Sequence, residues 1–381
     1  MKIAYISRFE SIDIKNWSGS EFYIAKAISN VAGNQLEHIA GLEERLDLFT
    51  RLKYQVSIKS GKKYQLNRAP FVVKQYAQQV SQKLQGLNAD IVFSPGTMPI
   101  AHLDCKQPKV FYTDATFAAM IDYYDWYKNL SKITIKEGLR LDQKAVDTSS
   151  LAIFSSDWAA QSAIKDYGTP PNKVRVVPMG ANIDHELTFD EVKSAINNRD
   201  SSVCRILFIG VDWERKGGDT VFRTVKELNQ GGLNTELHIL GLDSLPNEVA
   251  QAPFVVNHGF ISKATPQGLE LFEKTIQNCH FLFMPSQAEA YGLVFCEAAA
   301  YGIPSISSKT GGITTIIKDN VNGITFAPES PVSLFADYIS NTFTNTKRYS
   351  DLALSAYNEY KTRLNWGVAG KQISDYMKEL L

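Results

Sequence analysis

Residues 281–304, FLFMPSQAEAYGLVFCEAAAYGIP, bear most directly on the fold. The first four residues predict a buried strand, the proline and serine predict a turn, and residues 293–300 predict a helix. Glu289 and Glu297 are the only charged residues in this stretch. Spacing alone leaves two interpretations of them. One is an ordinary helix with an acid near its N-terminus and a solvated face, and the other is a pair of carboxylates that face a ligand.

Short apolar runs alternate with segments of helical periodicity along the whole chain. The runs that predict strands form two series, the first at residues 2–7, 36–42, 90–94, 109–113, 152–155 and 173–177, and the second at 205–211, 236–240, 254–257, 281–284 and 305–307. Apolar strands separated by helices are typical of parallel sheets that are covered on both faces. Because 381 residues exceed what one hydrophobic core usually serves, we predict an α/β protein with two doubly wound, Rossmann-like domains.

The polar segment 180–204 separates the two series and contains no apolar strand. We therefore predict a first domain over residues 1–183 and a second over residues 184–365. In open α/β sheets ligands bind beyond the carboxyl ends of the strands, so we expect a site in the cleft between two facing domains. Residues 366–381 predict a helix with no strand after it, which we expect to pack back on the first domain.

The overall composition narrows the class of protein. Forty basic and forty acidic residues cancel, which gives no reason to expect nucleic acid as a partner but leaves room for a basic patch on a membrane surface. The four cysteines and six histidines lack the spacing of disulfide or metal-ligand pairs, so we predict buried thiols and no metal site. No apolar run reaches roughly 18 residues, and the N-terminus lacks a signal peptide's apolar core, so we expect a cytoplasmic protein.

Two cations and two glycines follow the first strand of the second series. Arg215 and Lys216 precede Gly217 and Gly218 in DWERKGGD. The glycines allow close approach of the backbone, and the cations suit a phosphate group through charge-assisted hydrogen bonds. An ordinary solvated turn is equally compatible with these residues.

The helix predicted at residues 293–300 offers a second anion site. The N–H groups of Gly292, Leu293 and Val294 have no carbonyl partner within its first turn, and we expect them to hold a diphosphate. Glu297 lies further along this helix, where a carboxylate accepts hydrogen bonds from two vicinal ribose hydroxyls.

Two features of the first domain are candidates for the same site. In WSGSE, Gly19 precedes a predicted helix and forms an anion site, although an ordinary N-cap by Ser18 or Ser20 is the alternative. In FYTDATF, Asp114 follows a predicted strand. The aromatic stretch 114–130 fits either internal packing or a binding surface, because aromatic faces suit sugars and lipid stems.

The stretch PSQAEAYGLVFCEAAAYGIPSISSKTGG, at residues 285–312, resembles the signature of retaining glycosyltransferases of family four. The matching positions are Glu289, Gly292, Leu293, Glu297, Gly302, Pro304, Gly311 and Gly312. FIGVDWERKGGD resembles the family's Arg-Lys phosphate motif, VVNHGFIS its strand motif, and SGSE its Gly-Gly-(Ala/Ser)-Glu turn. FSSDWAAQSAIKDYG and KVRVVPMGANID resemble the end of its first domain. The resemblance covers most of the second domain strongly and the first domain weakly.

The resemblance implies the GT-B architecture and a metal-independent hexosyltransferase that retains the anomeric configuration. It implies no cofactor, a UDP- or GDP-sugar donor bound mainly by the second domain, and a glycan, lipid-linked or small-molecule acceptor bound by the first. By position it implies that Arg215 and Lys216 contact the donor diphosphate, that Glu297 binds the ribose, and that Glu289 lies beside the donor sugar. Tyr291, in the same turn, belongs to this predicted donor site.

Gly19 would approach the diphosphate from the other side. The catalytic candidates are Glu289, Lys216 and Asp114, and the last stands where many family members carry a histidine. Two further departures matter. Val211 occupies a position that is often basic, and Ser18 replaces the first glycine of the usual pair.

Other classes with related folds remain to be weighed. A nicotinamide-dependent dehydrogenase needs G-x-G-x-x-G after a strand, and this sequence has no G-x-G. A phosphorylase would be longer and use pyridoxal phosphate. A sugar-nucleotide epimerase of this architecture and a non-catalytic nucleotide-sugar binding protein stay open as alternatives, and hydrolysis of the donor without acceptor distinguishes a transferase from an inert binder.

Overall fold

The computed structural model describes residues 1–10, 16–263 and 265–381, which divide into two compact units. Unit 1 comprises Met1–Asn182 together with Trp366–Leu381, and unit 2 comprises Ile183–Asn365. Each unit is built on one six-stranded parallel sheet. The prediction of an α/β protein with two doubly wound, Rossmann-like domains is therefore confirmed.

Unit 1 is built on a parallel sheet whose strands lie in the order β2-β1-β3-β4-β5-β6. Its strands are β1 (Lys2–Ile6), β2 (Gln35–Ile39), β3 (Ile91–Ser94), β4 (Lys109–Thr113), β5 (Leu151–Phe154) and β6 (Val174–Val176). The helices between them are α1 (Ser20–Ser29), α2 (Leu48–Lys59), α3 (Pro70–Leu84), α4 (Phe117–Met120), α5 (Lys132–Thr148) and α6 (Asp157–Tyr167). The central strands β3 and β5 are buried along their whole length, which explains why their sequences are nearly continuous apolar runs.

Unit 2 repeats the design with the strand order β12-β11-β10-β7-β8-β9. Its strands are β7 (Cys204–Ile209), β8 (Thr235–Leu240), β9 (Val255–Asn257), β10 (Phe281–Met284), β11 (Ser305–Ser308) and β12 (Gly323–Phe326). Its helices are α7 (Phe189–Asn198), α8 (Gly218–Gln230), α9 (Asn247–Ala250), α10 (Pro266–Asn278), α11 (Leu293–Ala300), α12 (Ile313–Ile316), α13 (Val332–Phe343) and α14 (Thr346–Thr362).

The strand order of unit 2 reverses between β7 and β10. The chain runs outward from β7 through β8 and β9, then returns to pair β10 on the other side of β7, with Phe281 opposite Ile206. The carboxyl ends of two neighbouring strands at such a reversal leave a crevice where ligands bind in doubly wound sheets. The loops that follow β7 and β10 are therefore brought to one edge of the sheet.

Strand β12 and helix α7 are two elements of unit 2 that the sequence analysis did not predict. Strand β12 is a four-residue edge strand that starts at Gly323 and pairs with β11, and its sequence GITF is too short to give a strong apolar signal. Helix α7 occupies part of the segment predicted as a polar boundary. Its N-terminus is a capping box in which Thr188 and Glu191 exchange side-chain-to-backbone hydrogen bonds, and it buries Val192 and Ile196.

The final helix, α15 (Trp366–Lys378), belongs to unit 1 and packs on α1. A side chain at Gly370 would meet the carbonyl oxygen of Ala27 at 2.3 Å, so the two helices approach as closely as a glycine allows. Trp366 also stacks on Tyr23, with ring centroids 6.4 Å apart.

Two further sequence expectations concern the cysteines and membrane-spanning helices. Cys204, Cys279 and Cys296 are buried thiols as predicted, whereas Cys105 is only half-buried, and none of the four forms a disulfide. Within the described ranges, none of the helices combines the length and the apolar character that crossing a bilayer requires.

Candidate functional site

The loops after β7 and β10 are in direct contact at the strand reversal of unit 2. Arg215 Nη1 donates a hydrogen bond of 3.0 Å to the carbonyl oxygen of Ala288, and the Gln287 N–H donates one of 2.8 Å to the carbonyl of Arg215. Gly217 has a φ of 78°, and a Cβ there would lie 2.3 Å from the carbonyl oxygen of Pro285. Glycine is therefore required at this contact, because any side chain would separate the loops.

Two cations of the first loop surround a buried carboxylate of the second. Lys216 Nζ is hydrogen-bonded to Glu289 Oε2, and Arg215 Nη1 lies 3.8 Å from the same oxygen. Glu289 is only 7% exposed. Asp212 accepts a hydrogen bond of 3.1 Å from Arg215 Nε, which orients the guanidinium towards Ala288 and Glu289. The solvated-turn alternative for Arg215 and Lys216 is therefore wrong, since both side chains are engaged across the loop contact.

The start of α11 lies beside this ion cluster. Its N-cap is Gly292, with a φ of 99° and no side-chain cap. A Cβ on Gly292 would lie 2.7 Å from the Phe295 ring and 3.2 Å from the Glu289 side chain. The backbone N–H groups of residues 292–294 thus open the helix without help from a capping side chain, an arrangement that suits an anion.

Tyr291 immediately precedes this glycine and points inward. Its side chain is buried, and its hydroxyl lies 3.7 Å from the sulfur of Cys296. Burial raises the pKa of the Cys296 thiol to about 12, so the thiol stays protonated at neutral pH. The Tyr291 side chain, predicted to belong to the donor site, is therefore packed inside unit 2.

Glu297 lies on α11 and is 5% exposed, so the interpretation of it as part of a solvated helix face is wrong. Its Oε1 accepts a hydrogen bond from Lys263, which lies between β9 and α10. The Lys263 ammonium also lies 5.0 Å from the centroid of the Phe272 ring. Sequence analysis missed Lys263. The available signal was its position directly after the VVNHGFIS strand motif, but spacing along the chain does not reveal a partner 34 residues away.

The glycine turn after β11 is hydrogen-bonded to the loop that follows β10. The Gly312 N–H donates a hydrogen bond of 3.1 Å to the carbonyl of Glu289, and the Thr310 hydroxyl donates one of 3.2 Å to the carbonyl of Gln287. Two segments that are distant in sequence, the loop after β7 and the turn after β11, thus hydrogen-bond the backbone around Glu289.

In unit 1, Gly19 forms the N-cap of α1 with a φ of 86° and no side-chain hydrogen bond, so the alternative of a serine N-cap is wrong. The preceding Trp17 and Ser18 also have left-handed backbones, at φ 44° and 53°, which is a strained arrangement for residues other than glycine. Asn182 donates to the carbonyl of Ser18 at 2.8 Å and accepts a hydrogen bond from Trp366 at 2.8 Å. These bonds hold the turn in its strained form.

Asp114 contacts the same turn. Its Oδ2 accepts a hydrogen bond of 3.3 Å from the indole N–H of Trp17. The structure therefore brings the predicted residues Gly19 and Asp114 together in unit 1 through Trp17. Within the aromatic stretch 114–130, Phe117 is buried whereas Trp126 is exposed, so internal packing accounts for Phe117 but not for Trp126.

Glu21, in the first turn of α1, is a buried carboxylate to which the sequence analysis gave no role. The Ser7 hydroxyl donates to its Oε2 at 2.6 Å, and the Tyr5 hydroxyl donates to its backbone carbonyl at 2.8 Å. Burial raises the pKa of the Glu21 carboxyl above its ordinary value, while the Ser7 hydrogen bond and the nearby Arg8 act in the opposite direction.

Comparison with known proteins agrees with this architecture. The family model described as "Glycosyl transferases group 1" matches residues 190–359, which lie within unit 2. An uncharacterized glycosyltransferase of Methanocaldococcus jannaschii is 29% identical over 224 residues, which cover 51% of this chain and 55% of that protein. The chain spans 55% to 64% of the length of the first curated relatives that it matches.

Solved structures match over the whole chain at low sequence identity. Sucrose-phosphate synthase from Thermosynechococcus elongatus superposes with a TM-score of 0.72 at 13% identity, covering 100% of this chain and 99% of that one. HepE from Anabaena, in complex with UDP, superposes with a TM-score of 0.66 at 16% identity, covering 100% of both chains. The predicted GT-B fold is thus confirmed, and the comparisons support a place for this chain in the superfamily of GT-B, group 1 glycosyltransferases.

Proposed function

We propose that the protein is a retaining glycosyltransferase of family four, a hexosyltransferase that moves a sugar from a nucleotide-diphosphate sugar to an acceptor. The observation that carries the proposal is the buried cluster of Lys216, Arg215 and Glu289 beside the uncapped start of α11. Two cations and a helix N-terminus converge there on a single carboxylate. This local excess of positive potential suits a diphosphate that leaves with additional negative charge.

The donor diphosphate would lie between the cations and the backbone N–H groups of residues 292–294. Both cations are already held in position, because Asp212 and Ala288 fix Arg215 and Glu289 fixes Lys216. Preorganised donors stabilise developing charge without reorganising during the reaction. Since the protein's own cations supply the positive charge, we expect transfer to continue without a metal or a cofactor.

The nucleoside would be held through Glu297. Its carboxylate is buried and paired with Lys263, a partner whose side chain is 35% exposed. A buried carboxylate without a partner is costly, so Lys263 satisfies Glu297 while the site is empty. We infer that the ribose hydroxyls displace Lys263 and take over its hydrogen bond, which makes Lys263 a removable partner.

The reacting sugar would lie next to Glu289, which orients its hydroxyls and is not required as a nucleophile. Departure of the diphosphate leaves a short-lived oxocarbenium-like sugar. A leaving phosphate oxygen can then accept the acceptor's proton on the same face, which retains the anomeric configuration. The acceptor is assigned to unit 1, where Asp114 is the candidate that would become a general base if the reaction inverted instead.

Four measurements on the whole chain test the proposal. Calorimetry with UDP, GDP and ADP identifies the nucleotide, and UDP is the first choice because the similar HepE was solved with it. A thermal-shift screen of the matching sugar nucleotides then identifies the donor sugar, since a ligand at 100 times its Kd adds about 2.7 kcal/mol. Proton NMR of the hydrolysed or transferred sugar, read before mutarotation, gives the anomer. Activity measured in EDTA tests independence from metal.

The expected result is nucleotide binding, slow hydrolysis in the absence of acceptor, and a product with the anomeric configuration of the donor. Conversion of the donor into its epimer would identify an epimerase, and binding without hydrolysis or transfer would identify a binding protein. An inverted product would make Asp114 the leading base. Activity that is lost in EDTA and restored by magnesium would contradict the metal-independent mechanism.

A further inference from the structure

Helix α2 of unit 1 exposes apolar side chains that an ordinary surface helix would bury. Its buried residues are the small, polar Thr50 and Ser57. Four of its large apolar residues, Leu48, Phe49, Leu52 and Val56, which we call the exposed row, are between 58% and 81% exposed. Surface helices of globular proteins normally turn their apolar side chains towards the core. The burial pattern of α2 therefore leaves a substantial apolar surface outside the core of unit 1.

The exposed row forms one continuous stripe. At 3.6 residues per turn, its four members fall within an arc of about 100°, and Thr50 and Ser57 lie on the opposite side of the helix. The inward side is held to unit 1 by a hydrogen bond of 2.6 Å from Lys53 Nζ to Glu137 on α5. The stripe is therefore fixed facing outward.

Basic residues accompany the exposed row. Residues 45–63 contain six lysines and arginines and one acid, Asp47, which caps α2. Arg51 and Lys59 are exposed on α2 itself. The whole chain has no net charge, so this segment is a local positive region and not a reflection of the overall composition.

A second exposed aromatic residue lies on a neighbouring segment. Trp126 is 72% exposed. Its loop is tied to the end of α2 by two hydrogen bonds, from the Lys63 N–H to the Asn129 carbonyl at 2.9 Å and from the Asn129 side chain to the Gly61 carbonyl at 2.6 Å. Tryptophan is enriched at membrane interfaces, where its ring meets both apolar and polar surroundings.

We propose that the exposed row of α2, with its flanking basic residues and Trp126, docks on the surface of an anionic lipid bilayer. An amphipathic helix lies in the interface plane when its apolar stripe enters the acyl boundary and its cations meet lipid phosphates. A second copy of the chain is a poorer occupant, since it would bring two positive segments together. The inference goes beyond the proposed function and does not depend on it, because docking is measured without any sugar nucleotide.

Co-sedimentation of the whole chain with vesicles tests the inference. We expect binding to vesicles of phosphatidylglycerol and phosphatidylcholine, weaker binding to phosphatidylcholine alone, and weaker binding as salt rises. Burying one large apolar side chain is worth roughly 10- to 100-fold in partitioning. Phe49→Ser and Leu52→Ser should each weaken vesicle binding by that factor, and Arg51→Gln and Lys59→Gln each by about fivefold.

Leu334→Ser is the matched control, because Leu334 is an exposed leucine on α13 of unit 2. It should leave vesicle binding unchanged. Circular dichroism should show that the α2 variants remain folded, since the replaced side chains lie outside the core. Absence of binding to the anionic vesicles would overturn the inference, as would equal binding by the α2 variants and the parent. If the parent protein does not bind vesicles, and light scattering shows that it is a dimer that Leu52→Ser converts into a monomer, the exposed row would instead be an interface with a second copy.

Discussion

Helix α1 in unit 1 and helix α11 in unit 2 begin in the same way. Each starts at a glycine with a left-handed backbone, Gly19 at φ 86° and Gly292 at φ 99°, and neither start has a side-chain cap. A buried glutamate lies beside each start, Glu21 in the first turn of α1 and Glu289 three residues before Gly292. The backbone arrangement is thus repeated in the two units.

The partners of the two glutamates differ. Glu289 is bound by Lys216 and approached by Arg215, whereas the partner of the Glu21 carboxylate is the neutral hydroxyl of Ser7. An open helix start holds an anion strongly only where cations add to the helix dipole. We therefore propose that α11 carries the main anion site and that Gly19 marks a weaker one.

Loss of the Lys216 cation should have the largest effect. We expect Lys216→Ala to lower the turnover number by ~10²-fold or more, since a preorganised charge on the leaving group acts in the transition state. Steady-state kinetics with the donor identified by binding is the measurement. Lys226→Ala is the control, because Lys226 is an exposed lysine on α8 paired with exposed Glu248. A near-normal kcat with only a raised KM would assign Lys216 to ground-state binding.

Replacement of Glu297, the carboxylate that we propose binds the ribose, should have the next largest effect. Glu297→Gln should weaken binding of the free nucleoside diphosphate, because two charge-assisted hydrogen bonds become neutral ones, each losing on the order of 1 kcal/mol. The fold should stay intact, and turnover should fall less than with Lys216→Ala. Calorimetry that finds the same affinity in both proteins would remove Glu297 from the ribose site.

The variant Lys263→Ala tests whether Lys263 is a removable partner of Glu297 or a direct contact of the donor. If Lys263 only satisfies Glu297 in the empty site, its loss should lower the stability of the free protein and raise the affinity for the nucleoside diphosphate. Denaturant unfolding with and without nucleotide measures both quantities. A weaker affinity would instead make Lys263 a direct contact of the donor.

The two glycine starts provide a matched pair of substitutions. Gly292→Ala forces a side chain against Phe295 in a left-handed backbone, and Gly19→Ala imposes similar backbone strain, each at a cost of about 1–3 kcal/mol in stability. We expect calorimetry to find a greater loss of nucleoside diphosphate affinity for Gly292→Ala. Equal losses would make the two helix starts equivalent as anion sites and contradict the distinction between them.

The sequence predicted those parts of the molecule that depend on local pattern. Strand β10 and helix α11 have the predicted bounds, since a fully apolar run and a glycine turn are local signals. The pairing of Glu297 with Lys263 was missed because it depends on how β9 and α10 approach α11. The same limit applies to Asp212, whose role in orienting Arg215 appears only once the loops are folded.

The exposed row of α2 was missed for a related reason. Residues 48–59 have an apolar periodicity, and a periodic helix is ordinarily assigned an inward apolar face. The packing of Thr50, Ser57 and the half-buried Tyr54 against unit 1 reverses that assignment. The direction in which an amphipathic helix faces is a property of its neighbours and not of its own spacing.

The smallest effect is expected at Glu21, where the comparison between the two glutamates is tested through pH. Burial raises the pKa of the Glu21 carboxyl in the folded protein, so the fold favours the protonated form. The stability that the protonated carboxyl contributes is then fully present below the unfolded pKa and is lost as pH rises through the raised folded pKa.

The variant Glu21→Gln keeps an acceptor for the Ser7 hydroxyl but cannot ionise. Urea unfolding from acidic to mildly alkaline pH should therefore show the variant gaining stability relative to the parent as pH rises. Glu248→Gln, at an exposed position, should show no such trend. A variant that loses stability at the higher pH would mean that the charged form of Glu21 is stabilised after all, and Glu21 would then resemble Glu289 in its electrostatics as well as in its position.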